Sequence, residues 1–256
     1  HVSLVGSEMC IRDRYKYVAK YFIPSKVFKF CNLSALPAFI IGLTAFLLSS
    51  YFVIYSLPAD IEQHEIYRIL FIHVPSAILS ELIYLFLAVN GFIYLGWRTK
   101  ISAIFLNSAI SIGLVFTAIV LISGSIWGKP TWGTYWVWDA RITSTFILLI
   151  QYIGLIALRS SFSSKQTTDQ ILSIVSIIGA VNIPIIKFSV DWWNTLHQNA
   201  SITTSGSAID TEMLIGLPLM LGSLLLISFS IFARNIQFEI LARTGKTTAM
   251  REIING

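Results

Sequence analysis

The sequence predicts an all-α fold: a polytopic membrane bundle of six transmembrane helices with both termini cytoplasmic. Three observations carry this prediction: the scarcity of charge, six long apolar runs, and the lopsided placement of Lys and Arg between them. Charged residues make up 12% of the 256 and hydrophobic ones 55%, with a mean hydropathy of +0.74, whereas a soluble domain carries about 25% charge. A helical span needs about 20 mostly apolar residues, and such runs occupy 36–57, 75–96, 101–126, 142–158, 170–186 and 213–233. None shows the alternating ten-residue pattern of an outer-membrane barrel strand, so the spans are read as helices. Counting Lys and Arg around these spans puts 14 on the side of both termini and 4 on the other. The positive-inside rule then makes the termini cytoplasmic. The same bias accounts for the pI of about 9.2 without any nucleic acid as partner.

In chain order, 1–35 read as an N-terminal cytoplasmic tail, 36–234 as the six-span domain and 235–256 as a cytoplasmic C-terminal tail. Residues 1–14 lack an initiator Met and lead into no signal-peptide run, and are read as an assembly scar. Through 15–31, Lys alternates with Tyr, Phe and Val. This stretch is either a basic amphipathic helix on the cytoplasmic leaflet or a plain positive anchor. Cys10 and Cys31 both lie at this end and there is no C-x-x-C-H, so neither covalently attached c-type haem nor an outside disulfide is expected. Gly245-Lys246-Thr247 resembles the end of a phosphate-binding loop, but Ile240 stands where its first glycine belongs and no apolar strand precedes it. Any energy for moving a ligand must therefore come from a partner or from the acceptor's own affinity.

The outward loops hold the chemistry. In the first, 58–74, lie His64 and then His73, in F-I-H-V-P-S with Pro75 in the first turn of the next span. The second contains I-W-G-K-P-T-W-G-T-Y-W-V-W-D-A-R-I-T-S-T over 126–145, four of the seven tryptophans within twelve residues. Gly128, Pro130 and Gly133 are expected to break any helix there, leaving the tryptophans in or beside a loop. The third, 187–212, opens D-W-W-N-T-L-H-Q, where a short interfacial helix over 191–198 would set Trp193 and His197 on one face. Inside the second span, Glu81 lies eight residues past His73, about 12 Å along the axis and on roughly the same face. It is either functional or simply satisfied by a wet cavity, Asn107 or Gln151.

A ligand that wants this set is flat, apolar, metal-centred and anionic at its edge, as haem is. His73 and His197 are the candidate axial ligands of the iron. Trp132, Trp136, Trp138 and Tyr135 offer a stacking platform, with Trp127, Trp192 and Trp193 nearby. Arg141, with Lys129 or Arg68, is available to the propionates, and Asp139 to orient Arg141 or an indole N–H. The competing explanations are ordinary ones. Trp and Tyr gather at membrane interfaces in any such protein, and a single His is more often a loop or cap residue than a ligand. His64, in a polar loop, is read as solvated.

W-G-T-Y-W-V-W-D-A-R-I-T-S resembles the Trp-rich WWD signature of haem-handling membrane proteins. With F-I-H-V-P-S-A, S-G-S-I-W-G-K-P-T-W-G and V-N-I-P-I-I-K-F-S-V-D-W-W-N-T-L-H-Q in order, the chain from 36 to 234 resembles one family in particular, the haem exporter protein C (CcmC) family of cytochrome c maturation system I. Tyr135 and Ile142 stand where that family often has Trp and Leu, and both keep an aromatic or aliphatic surface. The resemblance implies haem b held on the outer face between His73 and His197 against the Trp loop. It implies delivery to the haem chaperone CcmE, and assembly with the ATP-binding cassette proteins CcmA and CcmB and the small protein CcmD. It implies a transfer protein rather than an enzyme, in a bacterial inner membrane or that of mitochondria. Two other readings stand beside it. A permease subunit would want polar residues spread through several spans, where this chain offers chiefly Glu81. A haem lyase subunit of the same superfamily would want further spans and a large outward domain.

Overall fold

The computed structural model describes residues 23–197, 202–203, 206–207 and 211–244. Residues 1–14, residues 15–22 of the basic stretch and the Gly245-Lys246-Thr247 motif lie outside the described residues. Six helical spans run back and forth, each long and apolar enough to cross a membrane. Helix α1 covers Pro24–Tyr51 and continues through a π-helical turn, Phe52–Ser56. A 3-10 turn, Glu65–Ile69, leads into α2, Leu70–Trp97, and α3 follows over Lys100–Trp132. Helix α4 covers Ala140–Ser161, and α5 (Lys165–Gly179) with α6 (Asn182–Trp192) makes the fifth span. Short strands β1 (Ile202–Thr203) and β2 (Gly206–Ser207) pair antiparallel before α7, Thr211–Thr244.

Most helices start earlier or end later than the apolar runs suggest, and each difference has a local cause. Pro24, at the first helical position where a missing N–H costs nothing, opens α1, so 24–31 are its first turns and continuous with the span. Pro75 sits in the sixth position of α2 rather than its first turn, because the 3-10 turn begins the span at Glu65. The fifth span breaks at Ala180–Val181, since Pro184 cannot donate to the Ala180 carbonyl; the Ile183 N–H takes that oxygen instead, at 3.1 Å. At the far end, α7 continues over 235–244 beyond the apolar run.

Lipid tails are as apolar as leucine, so hydrophobicity alone does not hold these helices together; close packing and internal polar contacts do. A Cβ on Gly42 would come within 2.9 Å of the Ile227 nitrogen, and one on Gly91 within 2.9 Å of the Ser173 carbonyl, so α1–α7 and α2–α5 meet backbone to backbone. At the end of the bundle away from the Trp loop, charge does the tying. Arg243 donates to both oxygens of Asp169, at 2.6 and 2.8 Å, and to Glu239 at 2.7 Å. Arg159 donates to the other Glu239 oxygen at 2.7 Å, and Asn107 to Asp169 at 2.9 Å. These bonds join α3, α4, α5 and α7 in one network, with Asp169 and Glu239 only 4% and 3% exposed. It explains why α7 runs on past the apolar run: its last turns bury Ile236 and Ile240 on one face and reach partners for their charges on another.

Candidate functional site

At the opposite end, α2, α3, α4, α6 and the segments after α3 and α6 surround a cavity of about 380 Å³, within the range of small-ligand pockets. His73 enters from the first turn of α2 and is 7% exposed. Its Nδ1 lies 3.0 Å from Ser123 Oγ on α3, and its ring meets Trp127 edge-to-face at 5.7 Å between centroids. His197 enters from the segment after α6. The two imidazoles lie 6.3 Å apart between centroids with planes 25° apart, and Trp132 packs on His197 at 5.7 Å. Glycines admit these rings. A Cβ on Gly124 would be 3.0 Å from His73 Cε1, and one on Gly128 3.0 Å from the Trp132 ring.

Two local expectations about this region are corrected. Helix α3 runs straight through Gly128 and Pro130 to Trp132, and only Gly133, at φ 78°, ends it, its N–H closing on the Lys129 carbonyl. Trp127 and Trp132 are therefore helical residues, and Trp136 and Trp138 are in the loop. The helix expected over 191–198 does not form. Trp193 is extended (φ −134°, ψ 155°), so α6 ends at Trp192 and His197 lies beyond it in irregular chain. The Thr195 hydroxyl accepts from the His197 N–H at 3.2 Å, a local turn that competes with helix.

Of the other candidates, Tyr135, Trp136 and Arg141 line the cavity with Trp127 and Trp132. Trp138, Trp192 and Trp193 do not: they are 70%, 56% and 50% exposed. Trp136, Trp138 and Phe146 form their own edge-to-face cluster, and Trp192 stacks on Phe188 at 5.4 Å. Lys129 donates to the Gly133 carbonyl at 3.0 Å and sits over the Tyr135 ring. Arg68 is engaged in the first loop, donating to the Val53 and Leu57 carbonyls and to Glu65. Asp139 caps α4, accepting from the Ile142 N–H at 2.8 Å. Among the described residues it bonds neither Arg141 nor an indole, and both its second oxygen and the Trp136 indole nitrogen are buried without a partner. His64 is exposed, at φ 51° in a turn closed by bonds to Asp60.

The cavity adds residues that the motifs do not mark. Gln63 lines it and accepts from the Trp127 indole N–H at 2.8 Å. Glu81 forms part of its wall below the histidines, in the field of Arg141 and Lys187. Spacing from His73 and burial in a span were the signals for Glu81; Lys187 stood among the outward cations, inside a matched motif, without a role, and Gln63 carried no signal. Chemically, the pair of histidines can fill two positions of a metal whose other ligands come from elsewhere. Among the described residues no group of three or more His, Cys, Asp or Glu could hold a bare ion.

Comparison with known proteins gives a consistent result. The family model for CcmC, Heme exporter protein C, matches residues 17–251. Heme exporter protein C of Escherichia coli K12 is 42% identical over 197 residues, 77% of this chain and 80% of that protein. The Bradyrhizobium diazoefficiens Heme exporter protein C is 39% identical over 76% of this chain and 74% of its own. A ccmC-like mitochondrial protein of cytochrome c biosynthesis from Marchantia polymorpha is 44% identical over 72% of this chain and 79% of its own. With its six spans and its paired histidines under a Trp-rich loop, this chain belongs to the haem exporter protein C family.

Proposed function

We propose that this membrane protein binds haem b between His73 and His197 at its outward face and delivers it to the haem chaperone CcmE during c-type cytochrome biogenesis. The observation that carries the reading is the facing pair of imidazoles. A metal about 2 Å from one nitrogen of each ring sets the ring centroids about 6 Å apart, and these stand at 6.3 Å with nearly parallel planes. Two ligands suit a metal that brings an equatorial set of its own. The walls suit a flat aromatic macrocycle: Trp127 and Trp132 hold the two imidazoles, while Tyr135 and Trp136 give the loop side.

Arg141 and Lys187, the two cations that line the cavity, are the partners proposed for the propionates. Lys129 and Arg68 have other bonds, and Trp138, Trp192 and Trp193 act as an interfacial belt around the opening. In this reading the cavity opens on the periplasmic side of a bacterial inner membrane, or the equivalent side of a mitochondrial one, as the Lys and Arg bias supports. CcmA and CcmB, with CcmD, supply the energy and scaffold for release, which must break at least one histidine–iron bond.

The test is an absorption spectrum of the purified protein from haem-replete cells, beside His73→Ala, His197→Ala and His64→Ala. Wild type and His64→Ala are expected to carry the bands of a six-coordinate low-spin haem, and the other two to lose or shift them. Four colourless but folded proteins would sink the reading.

A further inference from the structure

The hydrogen bonds around His73 determine which of its nitrogens is free. Ser123 Oγ lies 2.6 Å from the Ile119 carbonyl oxygen, 3.3 Å from that of Val120, and 3.0 Å from His73 Nδ1. Two oxygens 2.6 Å apart need a hydrogen between them, and a carbonyl has none to give. The single hydroxyl proton of Ser123 is therefore directed to its own helix. What Ser123 turns toward the imidazole is a lone pair, so the hydrogen on that contact belongs to Nδ1.

We infer that Ser123 is a positioning residue that holds His73 as its Nδ1–H tautomer, leaving Nε2 as the one ring nitrogen with a lone pair for a metal. Among the described residues, Nε2 has no hydrogen-bond partner. Gly124 completes the seat, since a bare Cα there lets the Cε1 edge of the ring lie against α3. The inference rests on the reading of His73 as an iron ligand, and adds to it a cause: the ligand is oriented and kept basic by a helix that makes no contact with the metal. Without the serine, the ring can turn and its other tautomer becomes accessible.

Two measurements test this separately from haem transfer. The first needs no haem: nitrogen NMR of ¹⁵N-histidine-labelled protein in detergent, with the His73 signals assigned by their loss in His73→Gln. A protonated Nδ1 and an unprotonated Nε2 are expected in wild type, and the reverse assignment overturns the proposal. The second is titration of the apoprotein with ferric protoporphyrin IX. Ser123→Ala is expected to bind about 10-fold to 100-fold more weakly, the usual effect of losing such a partner, with a visible high-spin fraction. Ser123→Thr, which keeps the hydroxyl, restores both. A Ser123→Ala protein matching wild type in affinity and spectrum, while His73→Ala does not, overturns the positioning role and leaves the two-histidine site standing. If wild type itself gives no low-spin complex, the iron-ligand reading fails whatever tautomer the NMR assigns.

Discussion

Gly124 and Gly128 lie one turn apart on α3, and each leaves a space that an aromatic ring fills. A methyl group at Gly124 would meet His73 Cε1 at 3.0 Å, where the edge of a ring cannot yield as a flexible chain end would. Overpacking of this kind costs about 1–3 kcal/mol, and here it falls on the seat that holds the His73 ring. Gly124→Ala is therefore expected to keep its helical circular dichroism while binding ferric protoporphyrin about 5-fold to 150-fold more weakly, the scale set by a shift of that energy; unchanged affinity would show that the close approach has no functional weight. Glu81 presents the opposite case, a carboxylate among the cations proposed for propionates. Removing its charge in Glu81→Gln should tighten binding of the macrocycle with its two propionates several-fold relative to its dimethyl ester. Equal effects on the two ligands would argue against that electrostatic competition. The histidines and tryptophans could be found in the sequence because such residues are scarce and each brings its own chemistry. Gly124, Ser123 and Lys187 lie within the matched motifs, but their roles could not be read there, because their use depends on which residue of another helix faces them.

Among the elements, α5 and α7 show how a buried charge can read as the end of a span. Arg234, Glu239 and Arg243 interrupt the apolar run, so the sequence suggests an end near 233, yet α7 continues because Asp169 and Glu239 pair with Arg243 and Arg159 inside the bundle. Pairing across four helices leaves no trace in local hydropathy. The i,i+4 spacing of Glu239 and Arg243 was the only local hint. Asp169→Ala would leave Arg243 with Glu239 alone. Breaking a buried pair from one side costs about 3–5 kcal/mol, so this variant should lose most of its margin against thermal unfolding in detergent. The paired change Asp169→Leu with Arg243→Met should recover much of it. A single variant as stable as wild type would show the network to be dispensable. Helix ends elsewhere were misread for simpler reasons: Pro130 is tolerated near the C-terminus of α3, and the local turn at Thr195 replaces the helix expected through His197.

For the whole molecule, an even number of spans puts residues 24 and 244 on the same side, and the count of Lys and Arg supports our proposal that this side is the cytoplasm. In a background without Cys10 and Cys31, Glu62→Cys should react with a membrane-impermeant maleimide in intact cells, and Ser163→Cys only after permeabilisation; the reverse pattern would invert the topology. The bundle could be predicted at this scale because hydropathy and charge bias are properties of the whole sequence, whereas the cavity between its helices is not. The two histidines that face each other there are held unequally. His73 stands on a helix with Ser123 of α3 against its ring, while His197 sits in irregular chain beyond the last turn of α6 with its ring against Trp132. On the proposed reading the backbone under one jaw is helical and that under the other irregular, so cargo should leave in a set order, with the His197 side opening first and His73 letting go last. Added imidazole should accordingly restore the six-coordinate spectrum of His197→Ala, whose helical jaw remains, far better than that of His73→Ala.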